Sequence, residues 1–444
     1  MMDISKIALT GLLALLVPAG ALAQSPAPNP DVTDLQKQLQ EMRAQMARMQ
    51  NRIDEIEKAK ASTDASSPGQ VAQNQKSPSA APLAQPVALP AKPLAPKSPT
   101  TFTSGDWTLK IGGYVKLDMI HDFNAIGSTD SFNVLTIPVD RTLGTNMRIH
   151  ARETRLSLSM VGPVQGHDLK LFIEGDFYGA NNVVRLRHAY GQWGHWLFGQ
   201  TWSTFMDEDN IPNTIDSETP LAAPFVRQAL ARFTTSLSKH TQLSFGVEDP
   251  DPEVVAPRGI VGKTEKTLPD FTGRFRWNNS RGHVQLSGFV SQTRFRPDKK
   301  PPTDVMIYGG LASARFRMFT RDAIYAQASY GPGLGRYRGD VSVAPDASNR
   351  LQAVKVAAVT AGYEHYWSPR WSTNLVASPA WIINKDLGPT FNHRFDYLAA
   401  NLRYWFLEKQ AWVGIEYLYG RRELLNSASG STNRIQASVR INLP

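Results

Sequence analysis

From Trp107 to the end of the chain, apolar and polar residues alternate, segment after segment. In the last segment Ile435, Ala437, Val439, Ile441 and Leu443 share one parity, and Arg434, Gln436, Ser438, Arg440 and Asn442 the other. In the first, Leu109, Ile111, Val115, Leu117 and Met119 oppose Lys110, Tyr114, Lys116 and Asp118. Side chains alternate across a strand, so each segment presents one oily and one wet face. Sixteen such segments can be counted, near 107–121, 147–161, 168–179, 183–193, 195–204, 224–238, 240–249, 270–279, 282–294, 305–319, 322–333, 352–366, 371–384, 393–407, 410–422 and 433–443. Most have the length of a tilted membrane strand, about 9–11 residues.

The connections alternate too. Short ones fall at 161–167, 193–195, 238–241, 278–282, 320–322, 367–370 and 407–410. Long ones fall near 122–146, 205–223, 250–269, 295–304, 334–351, 385–392 and 423–432, and only 179–182 is short among them. Seven turns on one rim and eight loops on the other predict an all-β, 16-stranded antiparallel transmembrane barrel with both chain ends at the short-turn rim. Trp193, Trp196, Trp277, Trp367, Trp371, Trp405 and Trp412 lie near the short turns, as in the aromatic belts of membrane interfaces. A soluble β-sandwich or propeller also alternates, but accounts neither for the short/long rule nor for the belt. In lipid every backbone donor needs a partner, and closure removes the unpaired edges.

The chain before Trp107 reads differently. Residues 1–23 form a secretory signal, with Lys6, the apolar run Ile7 to Val17, and the cleavage site Ala21-Leu22-Ala23. Within a periplasmic segment at 24–60, residues 31–60 carry a 3,4 repeat of Val32, Leu35, Leu39, Met42, Met46, Met49, Ile53 and Ile56. That repeat predicts an N-terminal coiled-coil helix and self-association, the alternative being one amphipathic helix lying on another surface. Residues 61–100 are a Pro-, Ala- and Ser-rich linker that cannot bury enough apolar surface to order itself. The barrel is expected over 101–444.

Composition narrows the function. The 444 residues include no cysteine, so the exported chain is not held by disulfides. The balance of 48 Lys+Arg against 39 Asp+Glu raises nucleic acid as a partner, but export and the spread of charge over many strands argue against it. The nine histidines show no metal-ligand spacing, no G-x-S-x-G occurs, and no glycine loop would cradle phosphate. No cofactor, metal or catalytic residue is expected.

Parity turns Lys116, Arg185, Arg187, Arg274, Arg276, Arg315, Arg317, Arg403 and Arg440 inward. Sixteen strands enclose a lumen wide enough for water, and a recurrent R-x-R wall there suits anions, since guanidinium binds carboxylate bidentately and stays charged. The plainer reading is that any wet lumen carries charge and binds nothing. Tyr190 is assigned to the outer face with Val184 and Leu186. Parity fails at Arg148 and Arg152, and Arg227 and Arg232 have opposite parity. The long connection at 205–223 carries Asp207, Glu208, Asp209, Asp216 and Glu218. These acids either set a field opposite the arginine wall or bind wall arginines and hold the loop in place.

Signal peptide, short coiled coil, Pro-rich linker and sixteen-stranded barrel together resemble the DcaP-like outer-membrane porins. The segments LFIEGDF (171–177), RLRHAYGQW (185–193) and FGQTWSTFMD (198–207) are similar to porin strands around a third loop. The resemblance implies a homotrimer with periplasmic coiled coils in the outer membrane of a Gram-negative bacterium, in contact with lipid and lipopolysaccharide. It also implies passive uptake of small anionic solutes, dicarboxylates among them, and a third loop that narrows the barrel. Such barrels commonly end in an aromatic residue, whereas this chain ends Ile441-Asn442-Leu443-Pro444. The expected function is an arginine-lined diffusion channel. The alternatives are a general or sugar pore, an outer-membrane hydrolase, and an envelope tether with the barrel as anchor.

Overall fold

The computed structural model describes residues 100–140 and 142–443. The signal sequence, the heptads and nearly all of the linker lie outside them. Sixteen strands form one antiparallel sheet closed on itself. They are β1 (Trp107–Asp122), β2 (Arg155–Val164), β3 (His167–Asp176), β4 (Arg185–Trp193), β5 (Trp196–Trp202), β6 (Arg227–Ser236), β7 (Thr241–Glu248) and β8 (Asp270–Asn278). The second half comprises β9 (Gly282–Pro297), β10 (Thr303–Met318), β11 (Asp322–Pro332), β12 (Lys355–Tyr366), β13 (Trp371–Ile382), β14 (Asn392–Leu407), β15 (Ala411–Leu424) and β16 (Ser429–Asn442). Each strand pairs with its chain neighbours, and β1 pairs with β16 to close the barrel. Short ladder pieces add no strand to the circuit: Thr101–Ser104 pairs back along the start of β1, Asn146–His150 continues β2 along β1, and Gly262–Glu265 continues β8 along β9.

The outer face follows the alternation. Val115, Leu117, Met119, Ile415, Ile435 and Ile441 are exposed on it, while Lys116, Asp118, Arg434, Gln436 and Ser438 are buried within. Trp193, Trp196, Trp367 and Trp371 stand exposed at the short-turn rim. The turns there are tight: Gln165 and Gly166, at φ 49° and 80°, join Val164 to its partner His167 in a two-residue hairpin. On the other rim, two connections expected to be long are short, 298–302 and 425–428. The difference goes into the strands, since β9 and β10 run 16 residues each and β15 and β16 14 each.

The lumen is not uniformly wet. Ile126, Phe132, Val134 and Ile137, from the loop after β1, pack with Leu221 and Ala222 against Tyr325, Val376, Phe395, Tyr397 and Leu418 of the wall. Phe205 joins Leu334, Tyr337 and Val343, from the loop after β11, against Phe289, Ile307, Val356 and Ile382. Glycines on β15 make room for these loops. A Cβ on Gly420 would lie 2.8 Å from Val134, and one on Gly414 2.6 Å from Ile215. Three loops thus fold inward and fill the β9–β16 side with apolar packing.

The lipid-facing assignment is testable. Val115→Arg places a charge on the apolar band and should cost about 2–4 kcal/mol if it sits near the midplane. The urea midpoint for folding into lipid vesicles should fall accordingly; no change would mean that this face does not meet lipid.

Candidate functional site

The long connection between β5 and β6, residues 203–226, is an inner girdle. It leaves the wall at Ser203 and is fastened to it strand after strand. The amide groups of Gln285 and Asn210 bind Met206 O (3.1 Å) and Ala326 O (2.9 Å) respectively. Asn213 donates to Glu364 (2.6 Å), and its carbonyl accepts from Asn401 (3.0 Å) and Arg403 (2.9 Å). The buried Glu416 carboxylate accepts the backbone N–H groups of Ile215 and Asp216 at 2.7–3.0 Å, and Lys116 donates to Ile215 O at 2.6 Å. The return leg is held by Ser378, which accepts from Leu221 N (2.9 Å), and by Tyr337 O, which accepts from Phe225 N (2.7 Å).

Its acids divide by role. Asp207 is buried and accepts from His283 (2.8 Å), Ser313 (2.6 Å) and Arg276 (3.2 Å). Burial alone would raise its pKa, but these partners hold the carboxyl below the usual range. Asp209 shares Arg276. Asp216 accepts from Phe132 N (3.0 Å), Glu218 N (2.9 Å) and Arg434 (3.3 Å). Arg434, fully buried, also forks onto Asp122 at 2.6 and 3.1 Å and donates to Ser128 O at 3.0 Å. Glu218 accepts from Ser131 (3.2 Å); burial and the neighbouring Asp216 carboxylate push it up to about 7. Glu208 reaches the cavity below the loop.

Most of the arginines that the sequence turns inward are engaged. Arg185 forks onto Asp176 (2.9 and 2.6 Å), and Arg187 binds Glu174 (2.9 Å) and Asp176 (2.8 Å). Arg315 pairs with Glu364 and lies 5.0 Å from the Tyr325 ring. Arg317 donates to Ser280 O near the short-turn rim. Lys116 lies buried between Glu153 and Asp118. Arg403 stacks on Trp412 (4.6 Å) and Arg440 on Tyr114 (3.6 Å). Arg274 donates to Ser244 (3.0 Å), its one side-chain hydrogen bond among the described residues.

Two irregularities explain where parity misleads. The expected segment 147–161 is broken at residues 151–154, so Arg148 and Arg152 belong to the outer rim and both clamp Asp130. In β4, Glu174 pairs with His188 and Gly175 with Leu186, leaving Arg187 as an extra residue. This bulge flips the parity beyond it. Tyr190, expected on the outer face, therefore lines the interior with His188 and Gln192. Both Arg227 and Arg232 reach inward: Arg227 stacks 4.4 Å over Trp202, and Arg232 donates to Thr204 (2.9 Å) and Trp202 O.

The girdle leaves β2 to β8 largely bare, and two cavities border it. The outer one, about 550 Å³, is lined by Glu218, Asp251, Glu253, Asp340, Arg336, Arg338 and apolar residues including Leu221 and Phe225. The inner one, about 410 Å³, is lined by Arg155, Lys170, Arg232 and Arg274 against Glu174 and Glu208, with Phe172, His188, Tyr190 and Trp202. Lys170, Arg227, Arg232 and Arg274 have no carboxylate within 4 Å among the described residues. Three of these, Lys170, Arg227 and Arg232, lie outside the R-x-R pattern of the sequence.

A closed sixteen-stranded barrel with an oily exterior and an inward loop defines an outer-membrane channel. Comparison places it further: the model of the DcaP outer membrane protein family matches residues 96–443, and the chain belongs to that family. Among solved structures it is similar to the outer membrane channel DcaP of Acinetobacter baumannii, at 24% identity over 77% of this chain and 99% of that one, with a TM-score of 0.69. It shares the fold of OmpT of Vibrio cholerae (10% identity, 77% and 99% coverage, TM-score 0.51). It likewise shares that of an anion-selective porin from Comamonas acidovorans (10% identity, 76% and 99% coverage, TM-score 0.51). Comparison with curated protein sequences found no match.

Two outcomes follow from the girdle. Arg434→Ala strands the buried Asp122 and Asp216 carboxylates and should cost about 3–5 kcal/mol. The thermal midpoint should fall and single-channel conductance should become noisier as the loop loosens; a silent substitution would mean that the loop is held elsewhere. Glu218 gains a proton as pH falls through about 7, which removes one negative charge from the outer cavity. Anion preference should therefore rise between pH 8 and pH 6, and Glu218→Gln should flatten that step in reversal-potential measurements.

Proposed function

We propose that this outer-membrane channel conducts small anions, dicarboxylates among them, along the bare side of the girdle between residues 203–226 and the wall β2–β8. The observation that carries the reading is the set of cations without carboxylate partners, Lys170, Arg227, Arg232 and Arg274. Unpaired guanidinium in a partly enclosed site attracts anions, and conduction needs such sites to be weak enough to release them. The fold shared with an anion-selective porin supports the same reading. The engaged cations, Lys116, Arg276, Arg403 and Arg434, position the constriction. Arg185, Arg187, Arg315, Arg317 and Arg440 contribute to the field from the wall. The working unit is a homotrimer in lipid and lipopolysaccharide, tied together by periplasmic coiled coils at 31–60.

The test is single-channel recording of the purified protein in planar bilayers under a salt gradient. The channel should prefer chloride to potassium, and Arg232→Ala with Arg274→Ala should lower that preference several-fold. Cation preference in the unaltered protein, or a double variant with unchanged selectivity, would overturn the assignment.

A further inference from the structure

A strip of rings follows the side of the lumen that the girdle leaves bare. Tyr190 and Phe172, on neighbouring strands β4 and β3, have centroids 5.5 Å apart. Phe172 stands 6.0 Å from His188, His188 5.7 Å from Trp202, and Trp202 4.7 Å from Phe225. Tyr190, Phe172, His188 and Trp202 line the inner cavity, and Phe225 lines the outer one. The five rings therefore run without a gap from the inner cavity to the outer one, the last of them Phe225 on the return leg of the loop. The bulge at Arg187 makes this possible, because it brings His188 and Tyr190 inward beside Phe172.

Cations accompany the strip. Lys170 Nζ lies 5.6 Å from the centroids of both Phe172 and Tyr190. The Arg227 guanidinium lies 4.4 Å over Trp202, and its Nη1 is buried with no hydrogen-bond partner. A ring face carries negative potential and holds a cation beside it. Lys170 lines the inner cavity and keeps its charge available to a carboxylate there, while the rings offer stacking surface to a planar body. Spacings of 4.7–6.0 Å let a planar solute touch the next ring before leaving the last.

We propose that this strip is a specificity track that favours planar aromatic carboxylates over saturated ones of the same charge and similar size. The proposal rests on the anion-channel reading and adds the ring strip as a selecting surface. Lys170, which lines the inner cavity, binds the carboxylate, Arg227 adds positive field from behind Trp202, and Phe172, Trp202 and Phe225 support the ring as it moves between cavities. Charge alone does not separate benzoate from cyclohexanecarboxylate; a π-stacking surface does.

The experiment records chloride current through the full-length protein in planar bilayers while benzoate or cyclohexanecarboxylate is added at equal concentration. Blocking events by benzoate should last at least about threefold longer than those by cyclohexanecarboxylate, the scale expected of one or two ring contacts. Phe172→Leu with Trp202→Leu should bring the two dwell times together, with chloride current showing that the variant pore is open. Equal dwell times in the unaltered protein overturn the track, as does a double variant that keeps the difference. If the double variant fails to assemble, the unaltered protein's benzoate-to-cyclohexanecarboxylate ratio decides alone. An anion-selective channel blind to the ring overturns only the track, whereas potassium preference overturns the anion reading itself.

Discussion

The constriction depends on one buried charge cluster. Arg434 on β16 holds Asp122 on β1 and Asp216 at the turn of the girdle, and none of the three is open to water. Two carboxylates around one guanidinium leave a negative excess, which the backbone N–H groups of Phe132 and Glu218 offset at Asp216. In so enclosed a place an unmatched charge is expensive, so each member fixes the position of the others. Glu416 does the same with neutral donors, accepting two backbone N–H groups and the Asn401 amide. A loop of 24 residues (203–226) is thereby given one path across the lumen, although little of it is regular structure.

This anchoring divides the interior electrically. On the β9–β16 side the cations are mostly consumed by the loop or by neighbouring acids, and apolar packing excludes water. Around the inner cavity, on the β2–β8 side, basic side chains outnumber the acids that could neutralise them. The outer cavity carries Glu218, Asp251, Glu253 and Asp340 against Arg336 and Arg338, while the inner one carries four cations against two carboxylates. The two cavities therefore differ in sign, the outer acidic and the inner basic, and Glu218 tunes the outer one near neutral pH.

How much of this was legible in the sequence varies with the range of the interaction. Strand number, facing and the short-turn rim follow from local alternation, and Val115, Ile435 and Arg315 stand where their parity puts them. Local irregularities broke the rule: one extra residue at Arg187 reversed Tyr190, and the break at 151–154 moved Arg148 and Arg152 to the rim. The filling of half the lumen was not legible, because Phe132, Leu221 and Phe395 look like ordinary loop and strand apolar residues until closure brings them together. The partners of Asp216 were hidden for the same reason. Arg434 lies 218 residues away and sits outside any R-x-R pair, though its inward parity was plain. Among the acids at 207–218 only the contacts separate Asp207 and Asp216, which tie the loop down, from Glu208, which reaches the cavity.

The seam between β1 and β16 has a consequence for assembly order. Asp122 and Arg434 stand 312 positions apart in the chain, and they meet only when the first and last strands zip together. Asp216 docks onto that pair, and Lys116 of the first strand reaches Ile215 beside it. Before closure the girdle has only part of its seating, so a half-built barrel lacks the complete constriction. Narrowing of the passage is thus coupled to completion of the wall: the last ladder to form also finishes the seat of the loop.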